Sequence, residues 1–174
     1  MGDSGWWVAV VTSVTALGAS WITTWGNARS VRVEAEVVAQ AGHVTEARNR
    51  RRDAYRELGA AVHALSEVFW RMEEVDHAPT RTERAQIIEE MQAVSRQRVG
   101  DVTKASRDVL LEGPAGVART AAELRRRAVA AHLLLMQLKH GTEGQRSAYN
   151  DAYTAFRKHH VRFLDLARAA LEVH

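Results

Sequence analysis

The chain has 174 residues, two prolines and no cysteine, and its 24 Lys or Arg against 21 Asp or Glu leave a formal charge of +3. A charge this small does not by itself indicate any class of partner. The absence of cysteine excludes a cysteine nucleophile and fits a reducing compartment.

An uncharged segment lies at residues 6–25, with Trp6 and Trp7 at one end and Trp21 and Trp25 at the other. As a helix it extends roughly 28 Å, close to the hydrocarbon thickness of a bilayer. Indole rings favour the headgroup boundary, so tryptophans at both ends are typical of a membrane span. We therefore predict a transmembrane anchor within residues 1–26, with these tryptophans at the membrane interface.

Flanking charge indicates the orientation of this span. Its N-terminal side carries Asp3, whereas Arg29 and Arg32 follow on the C-terminal side. Cytoplasmic flanks carry the excess of arginine and lysine, so the long C-terminal part is predicted to be cytoplasmic. The protein is then a single-pass protein of the cell membrane, and Arg29 and Arg32 belong to its membrane interface.

Two other interpretations of the segment stay open. A secretory signal peptide normally begins with a positively charged region, which is missing here, and the apolar run continues past the small residues at 18–20. The serine and threonine residues within 6–25 also allow a buried core helix of a soluble protein.

Small residues recur on one face of the predicted span. Their spacing of four, three and four residues groups them on a helix, and in lipid such a face lets two helices approach closely. Their hydroxyls could instead bond to carbonyls of their own helix. The residues are Ala9, Ser13, Ala16 and Ser20.

Residues 27–46 are predicted to form a helical stalk between the membrane and the rest of the chain. Val33, Val37 and Val44 form an apolar seam with spacings of four and seven, which a lone helix cannot bury. A parallel coiled coil of identical chains would bury it, so we predict a homo-oligomer of undetermined copy number. The alternative is a stalk that folds back on the bundle or lies on the membrane surface.

Helix ends are predicted at three places after the stalk. Thr80 and Glu83 have the spacing of a capping box. Gly113 suits the C′ position of one helix and Pro114 the start of the next. The third break falls at 140–142.

These breaks predict helices over 6–78, 81–111, 115–140 and 143–173. The last three contain roughly 26 to 32 residues each, and an equal length counted back from residue 78 begins at 47. Residues 47–174 therefore complete an all-α, antiparallel four-helix bundle in the cytoplasm.

The apolar spacing supports this division, because each helix carries a stripe at intervals of three and four residues. The second stripe is the weakest, with Ile87, Met91 and Val94 separated by a polar patch from Val102, Ala105 and Val109. The other stripes are Tyr55, Leu58, Val62, Leu65, Phe69 and Met72; Val117, Ala121, Leu124, Ala128, Ala131, Leu135 and Leu138; and Tyr149, Ala152, Phe156, Phe163 and Ala170.

Charge is unevenly distributed along the predicted bundle. The half nearer the membrane, residues 47–62, 96–112, 115–127 and 158–174, carries 16 Lys or Arg and 8 Asp or Glu, and the rest of the bundle carries 6 and 9. The resulting +8 and −3 favour an acidic partner, such as an anionic leaflet, at the basic end. The alternative is that the arginines only solvate the exposed faces of the helices. The predicted basic patch comprises Arg48, Arg50, Arg51, Arg52, Arg125, Arg126 and Arg127.

Catalysis is not favoured, and no cofactor or metal is predicted. His77 forms a Glu-x-x-His pair with Glu74, but a di-iron bundle needs two such pairs and two further carboxylates. His159 and His160 are adjacent and point about 100° apart on a helix, which makes them poor co-ligands. The sequence has no phosphate-binding glycine loop and no Ser/His/Asp signature.

Two segments of the chain resemble the corresponding segments of a known group of proteins. The resemblance covers roughly the first 70 residues. The segments are Gly26-Asn27-Ala28-Arg29 after the tryptophan-flanked span, and Arg50-Arg51-Arg52-Asp53-Ala54-Tyr55-Arg56-Glu57-Leu58. The pattern resembles small, largely uncharacterised actinobacterial membrane proteins in which a span precedes a long Arg-rich helix. The resemblance implies an architecture and no activity.

The features together predict a non-enzymatic membrane protein that acts as a self-assembling scaffold or interaction module, with lipid, copies of itself and an unidentified protein as partners. One alternative is a membrane-perturbing effector whose assembled spans form a pore. The other is a soluble, arginine-rich protein that binds nucleic acid, which a short arginine run supports only weakly.

Overall fold

Helices are the only regular secondary structure in the residues that the computed structural model describes, 42–138 and 143–172. The chain divides into two units, Met1–Glu46 and Ala47–His174. Residues 42–70 are helical, and we call the portion 47–70, within the second unit, α1. The further helices are α2 (Met72–His77), α3 (Arg81–Glu112), α4 (Ala115–Gln137) and α5 (Glu143–Glu172). The prediction of an all-α bundle is confirmed for this part of the chain.

The predicted membrane anchor lies outside these residues. Within 42–138 and 143–172, no helix is both long enough and apolar enough to cross a bilayer. Of the stalk, residues 42–46 are helical and the Val44 side chain is exposed. The anchor, its interface and the remaining self-association positions stay predictions. The positions outside the described residues are Trp6, Trp7, Trp21, Trp25, Arg29, Arg32, Ala9, Ser13, Ala16, Ser20, Val33 and Val37.

Neighbouring helices of the second unit run antiparallel. Low-numbered residues of one helix contact high-numbered residues of the next, and α4 packs along α5. The helices therefore follow the cyclic order α1, α3, α4, α5, with α1 diagonally opposite α4. The contacts that establish the directions are Arg48 with the Leu171 carbonyl, Arg146 with Asp76, Arg50 with Glu112, Arg71 with Glu90, Gln92 with the Leu135 carbonyl and Ser95 with His132.

The core is built from the predicted stripes of α1, α4 and α5. The six stripe residues of the first helix and the seven of α4 are all buried, as are the three aromatic residues of the α5 stripe. Phe69 lies at the centre of an aromatic cluster, edge-on to Tyr149, Tyr153 and Phe156 with ring centroids 5.6 to 6.0 Å apart. Edge-to-face pairs of this kind add stabilisation beyond the area they bury.

The stripe on α3 differs from the predicted one. Val94 is 42% exposed, whereas the neighbouring Ser95 is fully buried and continues the buried face from Met91 to Val102. The prediction for Val94 is therefore wrong. Hydrophobicity alone misplaced the stripe, because a serine whose hydroxyl finds hydrogen bonds can occupy a core position.

The first helix is interrupted at Arg71, where a continuous helix was predicted. The Arg71 carbonyl accepts from the Glu74 amide at 2.9 Å and from the Val75 amide at 3.4 Å, so the chain tightens in the first turn of α2. The guanidinium donates to Glu74 and to Glu90 of α3, at 3.1 and 3.0 Å. The break therefore coincides with a tertiary ion pair, which sequence periodicity does not contain.

The starts of α3 and α4 agree with prediction, and the end of α3 differs by one residue. The Thr80 hydroxyl accepts from the Glu83 amide, and the Glu83 carboxylate accepts from the Thr80 amide, so the capping box is confirmed. α4 begins at Ala115 with Pro114 as its N-cap, as predicted, whereas Gly113 is the C-cap of α3, in extended backbone, and not its C′ residue. A Cβ on Gly113 would lie 2.8 Å from the Val109 carbonyl oxygen. Close approach of the backbone, and not a special φ, therefore requires glycine there.

Candidate interaction surface at the basic end

The antiparallel order brings four basic segments to one end of the bundle: the start of α1, the end of α3, the start of α4 and the end of α5. These are the segments that carry 16 Lys or Arg and 8 Asp or Glu. The opposite end has Glu73, Glu74 and Asp76 on α2 and Glu83 on α3. The bundle is therefore electrically polar along its axis.

The arginines of the predicted patch on α1 are exposed, and two of them make contacts between helices. The Arg48 guanidinium donates to the Leu171 carbonyl at 2.6 Å, at the end of α5. Arg50 lies 3.6 Å from the Glu112 carboxylate at the end of α3. Arg51 and Arg52 are also exposed. Arg48 and Arg50 thus connect the start of α1 to the ends of α5 and α3. Arg51 and Arg52 present their charge to solvent.

The arginines of the predicted patch on α4 form a separate group. Arg126 and Arg127 both pair with Glu123, one helical turn earlier on the same helix. Their guanidinium groups, Arg126 first, lower the pKa of the Glu123 carboxyl. Arg125 is partly buried. Because α4 lies diagonally opposite α1, the structure places the seven arginines in two groups on different sides of the bundle.

The histidines singled out by sequence bond mostly to backbone. The Nδ1 atom of His77 lies 2.7 Å from the Glu73 carbonyl, and that of His159 lies 2.8 Å from the Ala155 carbonyl. Burial, followed by the charge of His63, lowers the pKa of the half-buried His160. Within 42–138 and 143–172, no group of three or more His, Cys, Asp or Glu residues could hold a metal ion.

A serine–histidine pair between α3 and α4 is a feature that sequence reasoning missed. The Ser95 hydroxyl oxygen lies 2.9 Å from the His132 Nδ1 atom, and it also donates to the Gln92 carbonyl at 3.1 Å. Burial, followed by the charge of Arg96, lowers the pKa of His132. Ser95 is fully buried, so a substrate has no access to its oxygen. The pair joins two helices and is not arranged as a nucleophile and base.

The signal that could have indicated this pair is the interruption of the α3 stripe. Ser95 lies four residues after Met91 and seven before Val102, at a core position of the helix. A polar residue at such a position predicts a hydrogen-bonding partner on a neighbouring helix. The identity of that partner depends on the register of α3 against α4, which the sequence pattern does not specify.

Comparison with known proteins adds no functional assignment to this geometry. No protein-family model matches the chain, and no curated protein or solved structure shows significant similarity to it.

Proposed function

We propose that the chain is a membrane-anchored interaction module without catalytic activity, held by residues 6–25 and carrying its bundle on the cytoplasmic side. The observation that carries the proposal is the order of features along the chain. The uncharged, tryptophan-flanked segment precedes a bundle whose first helix begins at the basic end. Arginine near a membrane is attracted by anionic lipid headgroups.

The proposed interaction involves the surface of the bundle, because the interior is a closely packed core. Its largest fully buried side chains are aromatic and aliphatic, and the buried polar pair Ser95–His132 is closed to substrate. Charged side chains lie on the surface, where they can select a partner by complementary charge.

Self-association is the second part of the proposal. Val44, the described member of the predicted stalk seam, is 65% exposed in the single chain. A β-branched residue on a helical seam is covered when a parallel copy packs against it. We propose that the chain assembles through this seam and through the small-residue face of its span.

Fractionation tests the anchor. The full chain is expected to stay with membranes after an alkaline carbonate wash, and a chain of residues 27–174 is expected to be released. Recovery of the full chain in the soluble fraction would reject the anchor, as would equal membrane retention of both chains.

Disulfide crosslinking in membranes tests the assembly, because the chain contains no cysteine. Val44→Cys is expected to give a covalent dimer on mild oxidation. His43→Cys, one residue off the seam and also exposed, is the matched control and is expected to crosslink less. Only monomer from Val44→Cys would contradict the assembly.

A further inference from the structure

One exposed surface of the bundle combines apolar and cationic side chains along the groove between α1 and α5. Its two members on α1 are 18 residues apart, which is about five helical turns, and its four members on α5 are spaced by four, three and four residues, so each set lies on one side of its helix. We call this surface the α1–α5 face, and it consists of Arg52, Trp70, Arg157, Val161, Leu164 and Arg168.

The centre of the face is apolar and open to solvent. Trp70 is 53% exposed, Val161 59% and Leu164 46%. A Leu164 methyl carbon lies 3.8 Å from the position of a Cβ on Gly59, so α1 and α5 are close together beneath this side chain. Burying these three side chains against an apolar surface would remove a substantial hydrophobic area from water.

The surroundings of this centre are cationic. The Arg157 guanidinium carbon lies 6.0 Å from the centre of the Trp70 ring, within the range of a cation–π contact. Arg52 and Arg168 are exposed towards the basic end of the two helices. Over 47–70 and 157–172, the two helices carry nine Lys or Arg and five Asp or Glu.

Four carboxylates lie near the face, and one of them, Asp53, pairs with Arg56 at 3.4 Å. Glu67 lies 4.0 Å from the His63 imidazole, which offsets its charge only when protonated. Glu57 lines grooves on the opposite side of α1, towards α3. The exposed Glu67 and Asp165 remain, two anionic groups beside the three arginines of the face, so its cationic groups are in excess.

The most exposed leucine of the described residues has different surroundings. Leu111 is 82% exposed, but the groove it lines contains Asp53, Glu57, Asp108 and Glu112 beside Arg50. An anionic partner would be repelled there. Charge therefore distinguishes the α1–α5 face from that groove.

We propose that the α1–α5 face docks against an anionic lipid surface, with Trp70, Val161 and Leu164 in the headgroup region and the arginines on lipid phosphates. Indole rings favour that region, and arginine forks bind phosphate oxygens in pairs. Salt screens such attraction beyond about 8 Å, so the face has to lie directly against the headgroups. The inference rests on the membrane attachment proposed above.

A single engineered thiol reports this docking, because the natural chain has no cysteine. The full chain with Val161→Cys carries a polarity-sensitive fluorophore and is reconstituted with vesicles of phosphatidylcholine, with or without phosphatidylglycerol. We expect stronger, blue-shifted emission in the vesicles that contain phosphatidylglycerol, quenching by spin-labelled lipid, and loss of the change in high salt. Leu133→Cys, at an exposed leucine on α4, is the matched control and is expected to show no change.

Two double variants that remove the same charge at different places test whether the response to lipid depends on the arginines of the face or only on net charge. In the Val161→Cys background, Arg52→Gln with Arg168→Gln is expected to abolish most of the lipid-dependent shift. Arg126→Gln with Arg127→Gln removes the same charge from α4 and is expected to leave the shift intact. Far-UV circular dichroism checks that all variants stay helical.

Three outcomes would reject the docking. These outcomes are equal emission with neutral and anionic vesicles, an equal response at Leu133→Cys, and an equal loss from the two charge variants. A shift caused by nucleic acid and not by lipid, or a Val161→Cys disulfide between copies without lipid, would assign the face to another occupant. Flotation of the full chain with pure phosphatidylcholine reports the anchor separately, so its failure is distinguishable from failure of the face.

Discussion

Tyr55 and Tyr149 are both buried where α1 packs against α5, and they differ in what their hydroxyl groups contact. The Tyr149 hydroxyl donates to the Phe69 carbonyl at 3.2 Å. The Tyr55 hydroxyl lies beside Gly113 and has no hydrogen-bond partner among the described residues. Burial raises the pKa of both phenols, with Arg51 opposing the rise at Tyr55 and Arg146 opposing it at Tyr149.

This difference predicts that replacing tyrosine by phenylalanine changes the free energy of unfolding differently at the two positions. Tyr55→Phe is expected to leave stability unchanged or raise the free energy of unfolding by up to about 1 kcal/mol, because it removes a buried polar group without a partner. Tyr149→Phe is expected to lower it by about 0.5–1.5 kcal/mol, because a hydrogen bond is lost. Urea unfolding of the purified chain, followed by circular dichroism, measures both. Equal destabilisation by the two changes would contradict the unpaired hydroxyl.

At the scale of helices, the start of α3 depends on a local motif. Thr80 and Glu83 exchange hydrogen bonds across the first turn, at 3.2 and 3.4 Å. Such a reciprocal cap satisfies amide groups that the helix itself leaves unpaired. The motif involves residues three apart in the chain, so the sequence alone could predict it.

Thr80→Ala is expected to lower the free energy of unfolding by about 0.5–2 kcal/mol, because the N-cap oxygen is lost. The matched control is Thr82→Ala, an exposed change within the first turn of the same helix, which is expected to have little effect. Urea unfolding of both variants tests the cap. A loss at Thr82→Ala as large as that at Thr80→Ala would show that the cap contributes nothing specific.

Helix assignments from the sequence succeeded where the apolar pattern was strong and failed where tertiary contacts intervened. The stripes of α4 and α5 consist of large apolar residues and alanines, and the burial of most of them follows from periodicity. The turn at Arg71 coincides with an ion pair to Glu90, 19 residues away, and the buried Ser95 bonds to His132, 37 residues away. Periodicity contains no information about such partners.

At the scale of the whole molecule, two histidines lie where helices meet. His132 contacts α3 through Ser95, and the half-buried His160 lies on α5 near His63 of α1. Burial is the largest cause of the lowered pKa of each imidazole. Both groups therefore favour the neutral form when the bundle is folded.

This arrangement predicts that acid weakens the bundle. The unfolded chain takes up protons near the ordinary histidine pKa of about 6.5, whereas the folded chain takes them up at lower pH. The free energy of unfolding is thus expected to be highest above about pH 6.5 and to fall as the pH drops towards the lowered pKa values. Urea unfolding at pH 7.5 and at about pH 5.5 measures the change.

His132→Asn is expected to reduce this acid sensitivity, because it removes one titrating group while an amide can still bond to Ser95. An unchanged difference in stability between the two pH values would show that His132 does not contribute to it. A bundle more stable in acid would contradict the direction of both pKa shifts.

The sequence alone determined the helical class, the position of the Thr80 cap and most of the core, because these depend on spacing within 3 to 4 residues. It also contains the uncharged segment on which the membrane proposal rests. Tertiary structure decided which arginines share a side of the bundle, which serine is buried, and that Trp70, Val161 and Leu164 lie along one groove. Those relations join residues distant in the chain, and only the packing of whole helices brings them together.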